Sequence, residues 1–97
     1  MKAGFRPAIP PQVAEAIRHL SPDIKRAIRS AIHALCANPV AGEALHDELR
    51  GYWKYRVRRF RIVYAIDRPR RTLKIVAIGH RRAIYEEVAE LIRRQQT

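Results

Sequence analysis

The sequence of 97 residues is long enough for one small domain, and we expect residues 1–97 to form a single unit. Apolar residues make up 47% of the chain and charged residues 30%, which indicates a globular rather than a disordered protein. No apolar run approaches the roughly 20 residues that a membrane span requires, so we expect a cytoplasmic protein with no membrane partner. A single cysteine excludes an internal disulfide, and the four histidines lack metal-ligand spacing, so we expect no metal and no cofactor.

The positive charge is concentrated in one part of the chain. The formal net charge is +11, and residues 50–82 contain twelve of the twenty basic residues but only one of the nine acidic residues. A segregated basic region of this kind is typical of a protein that binds a polyanion. A basic surface kept for solubility is the alternative, although solubility does not require that the charges be segregated.

The first half of the chain predicts a short strand, two helices and a loop. Residues 2–9 are mildly apolar and are typical of an edge strand. Residues 10–20 carry apolar side chains at helical spacing. A second helix begins after the N-cap residue Ser21, with a proline at its first position, and ends near Asn38. Residues 40–51 have no periodic pattern and are expected to form a loop.

The hydrophobic period changes from about 3.6 to 2 in the second half of the chain. Residues 53–57 and 60–66 alternate apolar with other side chains, which predicts a β-hairpin, and residues 73–78 predict a third strand. Residues 84–92 then return to helical spacing. The order is therefore β-α-α-β-β-β-α, an α+β fold in which an N-terminal helical hairpin packs on a small antiparallel sheet that carries its helices on one face.

The register of the hairpin decides which of its side chains share a face. A two-residue turn at Arg58-Arg59 would pair Arg56 directly with Arg61 and place Lys54 on the same face. Like charges that face each other are destabilising by roughly 0.2–1 kcal/mol, so a protein that keeps them has a use for them, and two guanidinium groups suit a phosphate. The alternatives are a solvated sheet face, or a longer loop with another register, since two-residue turns favour glycine or asparagine.

The segment from Gly79 to Tyr85 follows a strand and opens a helix. Anions are favoured at helix N-termini, and Arg81 and Arg82 add positive charge there. Tyr85 can stack on a base or simply pack on the edge of the sheet. His80 titrates near neutral pH by default, which suits an acid or a base, but we favour the alternative of a histidine without function at the end of the strand.

These segments resemble the RelE/ParE superfamily of toxins from bacterial type II toxin–antitoxin systems, and its RelE branch in particular. Residues 49–57, 60–64 and 78–85 match the family's patterns L-x-G-x-W-R-Y-R-V, Y-R-V-I-Y and V-G-H-R-R-x-V-Y. The resemblance implies the RelE-like microbial RNase fold and a metal-independent endoribonuclease that cuts mRNA on the ribosome and inhibits translation. It also implies neutralisation by an acidic RelB-like antitoxin, a partner that suits a chain of net charge +11.

The resemblance also assigns the residues of the site. The RelE catalytic positions fall on Lys54, Arg56, Arg61, Arg81 and Tyr85. We expect Arg61 and Arg81 to stabilise the negative charge of the transition state. Lys54 is expected to act as the base, because the neighbouring arginines favour its neutral form. Arg56 is expected to position the phosphate, and Tyr85 to stack on or orient the nucleotide. We expect further contacts with RNA from Arg58, Arg59, His80 and Arg82. His80 is also the reserve candidate for the acid that protonates the leaving group.

Three other functions remain open at the level of the sequence. A ParE-like inhibitor of DNA gyrase would share the fold but need no catalytic residues of its own. A non-catalytic module that binds RNA or the ribosome would use the same basic residues, but no single one of them would be essential for its function. A toxin that has lost its activity is the third, because Arg58-Arg59 stands where the family usually has Gly-Asp.

Overall fold

A mixed sheet of five strands with α-helices on both faces forms the fold. The computed structural model describes residues 4–95, so residues 2 and 3 of the expected first strand lie outside the described part. Its helices and strands are β1 (Arg6–Ala8), α1 (Pro11–Arg18), α2 (Pro22–Ala37), β2 (Glu43–Ala44), β3 (Trp53–Val57), β4 (Phe60–Asp67), β5 (Thr72–Gly79) and α3 (Ala83–Gln95). Within residues 4–95, no helix has the length and apolar character needed to cross a bilayer.

The topology of the sheet confirms the α+β class and corrects one detail. The strands lie in the order β1-β5-β4-β3-β2, and the neighbours among β2 to β5 are antiparallel. Strand β1 instead pairs parallel with β5, so the sheet is mixed and not wholly antiparallel. The helical hairpin between β1 and the other strands is long enough to let the chain cross over and return in the same direction. Strand β2 lies in the segment expected to be a loop, and two residues are too short a strand to leave a pattern in the sequence.

The helical hairpin covers one face of the sheet. Helices α1 and α2 each have a proline in their first turn, and Ser21 is the N-cap of α2 without forming a side-chain hydrogen bond there. The apolar stripe of α2 packs against Ile62, Tyr64 and other side chains of this face, and Ile28 and Leu35 within it are fully buried. This packing is the larger of the two cores and matches the helical spacing seen in the sequence.

Helix α3 covers the opposite face, which corrects the expectation that all helices lie on one face. Val63, Ile84 and Val88 form a second buried cluster there. Val63 is apolar at a position of β4 where the alternation predicts a polar side chain, so the sheet has apolar side chains on both faces. Such a sheet needs other elements to cover both faces. Leu91, which belongs to the apolar stripe expected for this helix, remains 40% exposed.

The hairpin of β3 and β4 has the expected register. Arg56 pairs with Arg61, and Val57 pairs with Phe60, so the turn is the two-residue turn Arg58-Arg59. Arg58 has a φ of 56°, and a positive φ at the first central residue is the pattern of a type II′ hairpin turn. The Nε of Arg56 donates a hydrogen bond of 3.1 Å to the carbonyl oxygen of Arg58, which fixes the turn from within.

Candidate functional site

An open cleft of about 450 Å³ lies where the hairpin of β3 and β4 meets the first turn of α3. Lys54, Arg56 and Arg61 line it from the hairpin, and Tyr85 lines it from the helix. The alternation of β3 and β4 puts the three cations on one face because their neighbours, such as Tyr55 and Ile62, point into the larger core. Four of the five residues expected to be catalytic are thus brought together.

The cations of the cleft surround the ring of Tyr85. The Nζ of Lys54 lies 5.9 Å from the ring centroid and the Cζ of Arg61 lies 6.0 Å from it, at the outer range of a cation–π contact. Arg56 lies directly across the strand pair from Arg61. Neither arginine forms an ion pair with any residue in the described part of the chain, so both charges are available to an anionic ligand.

The hydroxyl group of Tyr85 is buried without a partner. Among residues 4–95 it is the one buried side-chain oxygen or nitrogen that has no hydrogen bond. An unsatisfied buried hydroxyl costs about 1–3 kcal/mol, so most proteins avoid it. The ring of Tyr85 lies beside the cations of the cleft. A buried polar group without a partner often has a role in an active site, and we interpret this hydroxyl in the same way.

Glu43 is a residue of the cleft that sequence reasoning missed. Its carboxylate Oε1 lies 3.4 Å from the Nζ of Lys54, and both residues line the cleft. Strand β2 brings it there by pairing Glu43 with Lys54 across the strands. A two-residue strand gives no periodic signal, and one glutamate in an apparent loop is not distinguishable from a solvated one.

Close packing beside Gly42 holds this edge of the cleft in place. A Cβ atom on Gly42 would lie 2.4 Å from the Oη of Tyr64 and 2.5 Å from the carbonyl oxygen of Lys54, so only glycine fits. The Tyr64 hydroxyl donates a buried hydrogen bond of 2.6 Å to the carbonyl oxygen of Pro39. Burial raises the pKa of Tyr64 above its ordinary value, and the phenol therefore stays protonated as a donor.

Arg81 and His80 do not line the cleft. Arg81 is exposed and borders a separate groove with Gly79 and Glu87 at the start of α3. The ring of His80 lies 5.4 Å from the ring of Phe60, which packs against the core beneath the helical hairpin. The histidine therefore points away from the Lys54 side of the sheet.

The remaining residues expected to contact RNA surround the site at the surface. Arg82 borders a groove with Asp47, Glu48 and Glu86, on the other side of Tyr85 from the cleft. Arg58 and Arg59 are exposed at the tip of the hairpin, one residue beyond the buried end of β3. Among residues 4–95, no group of three or more His, Cys, Asp or Glu side chains is arranged to hold a metal ion.

The fold and the cleft define a class of small toxins, the RelE/ParE superfamily, whose members belong to type II toxin–antitoxin systems. Residues 9–85 match the family model described as the ParE toxin of the type II toxin–antitoxin system parDE. The match covers most of the chain, so this protein belongs to that family and is a toxin of a type II toxin–antitoxin system. Among curated proteins, no sequence matches this chain with significance.

Several solved structures are similar to the chain. A chain of the RelBE2 toxin–antitoxin complex from Mycobacterium tuberculosis is 26% identical and has a TM-score of 0.73, covering 81% of this chain and 100% of that chain. A chain of the archaeal RelE–RelB complex from Pyrococcus horikoshii has 20% identity and a TM-score of 0.68, covering 82% and 98%. A variant of the E. coli toxin RelE in the free state has 14% identity and a TM-score of 0.73, covering 91% and 93%. The last two likenesses, at low identity, concern the fold alone.

Proposed function

We propose that this toxin is a ribosome-dependent endoribonuclease that cleaves mRNA and thereby inhibits translation. The observation that carries the proposal is the cleft in which Lys54, Arg56, Arg61 and Tyr85 converge. Two guanidinium groups without ion pairs, on adjacent strands, fit the oxygens of one phosphate, and an aromatic ring between the cations fits a nucleotide base. A cleft built only for a protein partner would not need this combination.

Cleavage of RNA without a metal proceeds through the neighbouring ribose. The 2′-oxygen attacks the adjacent phosphorus while its proton passes to a base, and the bond from phosphorus to the 5′-oxygen breaks. The leaving 5′-oxygen takes up a proton, and a 2′,3′-cyclic phosphate and a 5′-hydroxyl result. Arg61 and Arg56 stabilise the additional negative charge of the pentacoordinate phosphate, which is the step in which preorganised cations contribute most.

An arginine cannot act as the base, because a guanidinium group does not lose its proton in proteins. The pair of Glu43 and Lys54 places a group that can accept a proton in the cleft. In our proposal the carboxylate of Glu43 accepts the 2′-proton, and Lys54 contacts the phosphate as an ammonium group. This changes the role expected for Lys54 from its sequence context, because the carboxylate that lies 3.4 Å from its amine is itself a group of the cleft that can accept a proton. Tyr85 orients the nucleotide by stacking. Its hydroxyl is buried and has no partner in the described part of the chain, and the proposal requires it to turn toward the RNA to form a hydrogen bond.

The other basic residues complete the proposed binding site. Arg81 has no ion pair or hydrogen bond that fixes its guanidinium group in the described part of the chain, so it is able to close over RNA that enters the cleft. Arg58, Arg59 and Arg82 contact the RNA on either side of the scissile phosphate. His80 is the remaining candidate for leaving-group acid, and the proposal requires it to leave its contact with Phe60.

The dependence on the ribosome follows from the small number of proton-exchanging groups in the cleft. Orientation of the 2′-oxygen in line with the leaving oxygen is then a large part of the rate, and a ribosome that holds the mRNA supplies that orientation. The proposed partners are the ribosome, mRNA and an acidic RelB-like antitoxin, and the proposed compartment is the cytoplasm. A strongly basic toxin attracts an acidic antitoxin at long range.

The proposal is tested by inducing the toxin in a bacterial host with and without its neighbouring gene and mapping mRNA 5′ ends. Two copies of one transcript are compared, one translated and one without a start codon. Cuts at codon-phased positions in the translated copy alone support the proposal. Intact mRNA in growth-arrested cells contradicts it.

Inhibition of DNA gyrase is the second candidate function, and the match to the ParE family model favours it. A gyrase inhibitor acts by binding a protein, so single substitutions in the cleft would leave its activity largely intact. Loss of supercoiling by purified gyrase in the presence of the toxin, with ribosome-bound mRNA left intact, would select this function over the first.

A further inference from the structure

A second basic cluster lies at the opposite end of the sheet from the cleft. It surrounds the turn between β4 and β5, and we refer to it as the turn cluster. Its members are Arg6, Arg68, Arg70, Arg71 and Lys74. Asp67, the one acidic residue of the segment 50–82, lies beside the turn cluster. Five basic residues against one acidic residue leave the local charge strongly positive.

The backbone of the turn cluster is held in place by several contacts. The N–H of Arg6 donates to the carbonyl oxygen of Arg71 at 2.9 Å, which ties β1 to the turn. The N–H of Arg70 donates to Oδ1 of Asp67 at 3.2 Å. The guanidinium carbon of Arg71 lies 4.8 Å from the ring centroid of Phe5. The arginines therefore project from an ordered turn rather than from a loose loop.

The side chains of the cluster are available to a ligand. Arg6, Arg68, Arg70 and Lys74 are exposed, and none of them forms an ion pair within residues 4–95. This differs from α1 and α2, where Arg18 pairs with Glu15 and Arg26 pairs with Asp23. Four cations without acidic partners are maintained here against their mutual repulsion, which favours a polyanionic ligand.

The turn cluster and the cleft share one face of the sheet. Arg6 pairs with Thr72, which in turn pairs with Asp67, and Asp67 lies on the same side of β4 as Arg61. Asp67 lies six positions further along β4 than Arg61, so the two sites lie about 20 Å apart along the strand. A single extended molecule, or two segments of one assembly, can therefore contact both sites from the same side.

We propose that the turn cluster binds backbone phosphates of a folded RNA segment of the ribosome while the cleft holds the mRNA. The inference rests on the proposed function. Arginine side chains match phosphate oxygens, and the aromatic ring of the cluster, Phe5, already lies under Arg71 and is not available to stack on a base. Contacts of this type position a protein on a helical RNA without reading its sequence.

The test is the affinity of the toxin for purified 70S ribosomes, measured over a range of salt concentrations. The variant Arg68→Gln/Arg70→Gln removes two cations of the cluster and leaves Arg71 on Phe5. The matched control Arg18→Gln/Arg26→Gln removes the same charge from the helical hairpin. We expect the turn variant to bind about tenfold more weakly than the control and to lower the slope of log affinity against log salt by about 1.5–2.

A kinetic measurement separates the turn cluster from the cleft. In single-turnover cleavage of ribosome-bound mRNA, the turn variant should raise the ribosome concentration needed for half-maximal rate about tenfold, with an unchanged maximal rate. The variant Arg61→Gln should lower the maximal rate instead. Thermal unfolding checks that both variants are folded, and Arg68→Lys/Arg70→Lys, which keeps the charge, should restore binding to within about threefold.

The outcomes distinguish failure of this inference from failure of the proposed function. If the wild-type toxin cleaves mRNA on ribosomes but the turn variant binds them like its control, the inference alone is wrong. If the turn variant instead weakens neutralisation by the antitoxin and leaves ribosome binding unchanged, the cluster is a protein interface and the inference is also wrong. If the wild-type toxin neither binds ribosomes nor cleaves mRNA, the proposed function and the inference both fail.

Discussion

Replacement of Tyr85 by phenylalanine should make the toxin more stable and less active. The substitution removes a buried hydroxyl that has no partner in the described part of the chain and keeps the ring between Lys54 and Arg61. An unsatisfied buried hydroxyl costs about 1–3 kcal/mol, so we expect the free energy of unfolding to rise by about 1 kcal/mol. For a domain of this size, that corresponds to a rise in melting temperature of about 4–8 °C.

The assay for Tyr85→Phe is urea unfolding followed by the fluorescence of Trp53, the single tryptophan of the chain, whose ring lies 6.3 Å from that of Tyr64. Tyr52→Phe is the matched control, because its ring packs on the same cluster and its hydroxyl is not an unpaired buried group. We expect the control to change stability by less than about 0.5 kcal/mol. The cleavage rate of Tyr85→Phe should fall by about tenfold, which corresponds to about 1.4 kcal/mol in the transition state. A destabilised Tyr85→Phe with full activity would refute the reasoning.

Three further substitutions test the site and its edge. Glu43→Gln should lower single-turnover cleavage by about a hundredfold or more if the carboxylate is the base, while urea unfolding should change by less than about 1 kcal/mol, since an exposed ion pair contributes little. Gly42→Ala should destabilise the fold by about 1–3 kcal/mol in the same unfolding assay, because its Cβ would overlap Tyr64; an unchanged midpoint would contradict the packing. Tyr64→Phe should cost about 1–2 kcal/mol by leaving the carbonyl of Pro39 unpaired. Because burial raises the Tyr64 pKa, the unfolded chain loses the phenol proton first and wild-type stability should fall as the pH rises above about 10; Tyr64→Phe should show a weaker fall, and an equal fall would contradict this assignment.

The hairpin shows how much of this site was predictable from the sequence. The alternation of side chains from Trp53 to Tyr64 leaves one register that places every aromatic side chain of the hairpin on the face of the larger core. The Arg56–Arg61 pair therefore followed despite a turn without glycine. Arg58 accepts a positive φ, and the hydrogen bond from Arg56 to its carbonyl oxygen helps to hold that turn. The long-range packing of the sheet overrode the local preference of the turn.

Other features depend on contacts that leave no local pattern. The parallel pairing of β1 with β5 joins residues far apart in the chain, and three residues carry no information about direction. The placement of α3 on the opposite face follows from Val63, which a simple alternation does not distinguish from its neighbours. Glu43 enters the cleft through the two-residue strand β2, and the outward position of His80 and Arg81 depends on how the chain leaves β5. In each case tertiary packing decided what periodicity left open.

The central claim is that the cleft between the hairpin and α3 cleaves mRNA on the ribosome. The measurement that tests it most directly adds purified toxin to purified ribosomes with one mRNA in place, and follows the cleavage of that mRNA in a single turnover. The claim predicts fragments with a 2′,3′-cyclic phosphate and a 5′-hydroxyl from the wild-type toxin, a rate at least about a hundredfold lower for Arg61→Gln, and no cleavage of the same mRNA without ribosomes. Intact mRNA with the wild-type toxin, or equal cleavage by wild type and Arg61→Gln, would contradict it.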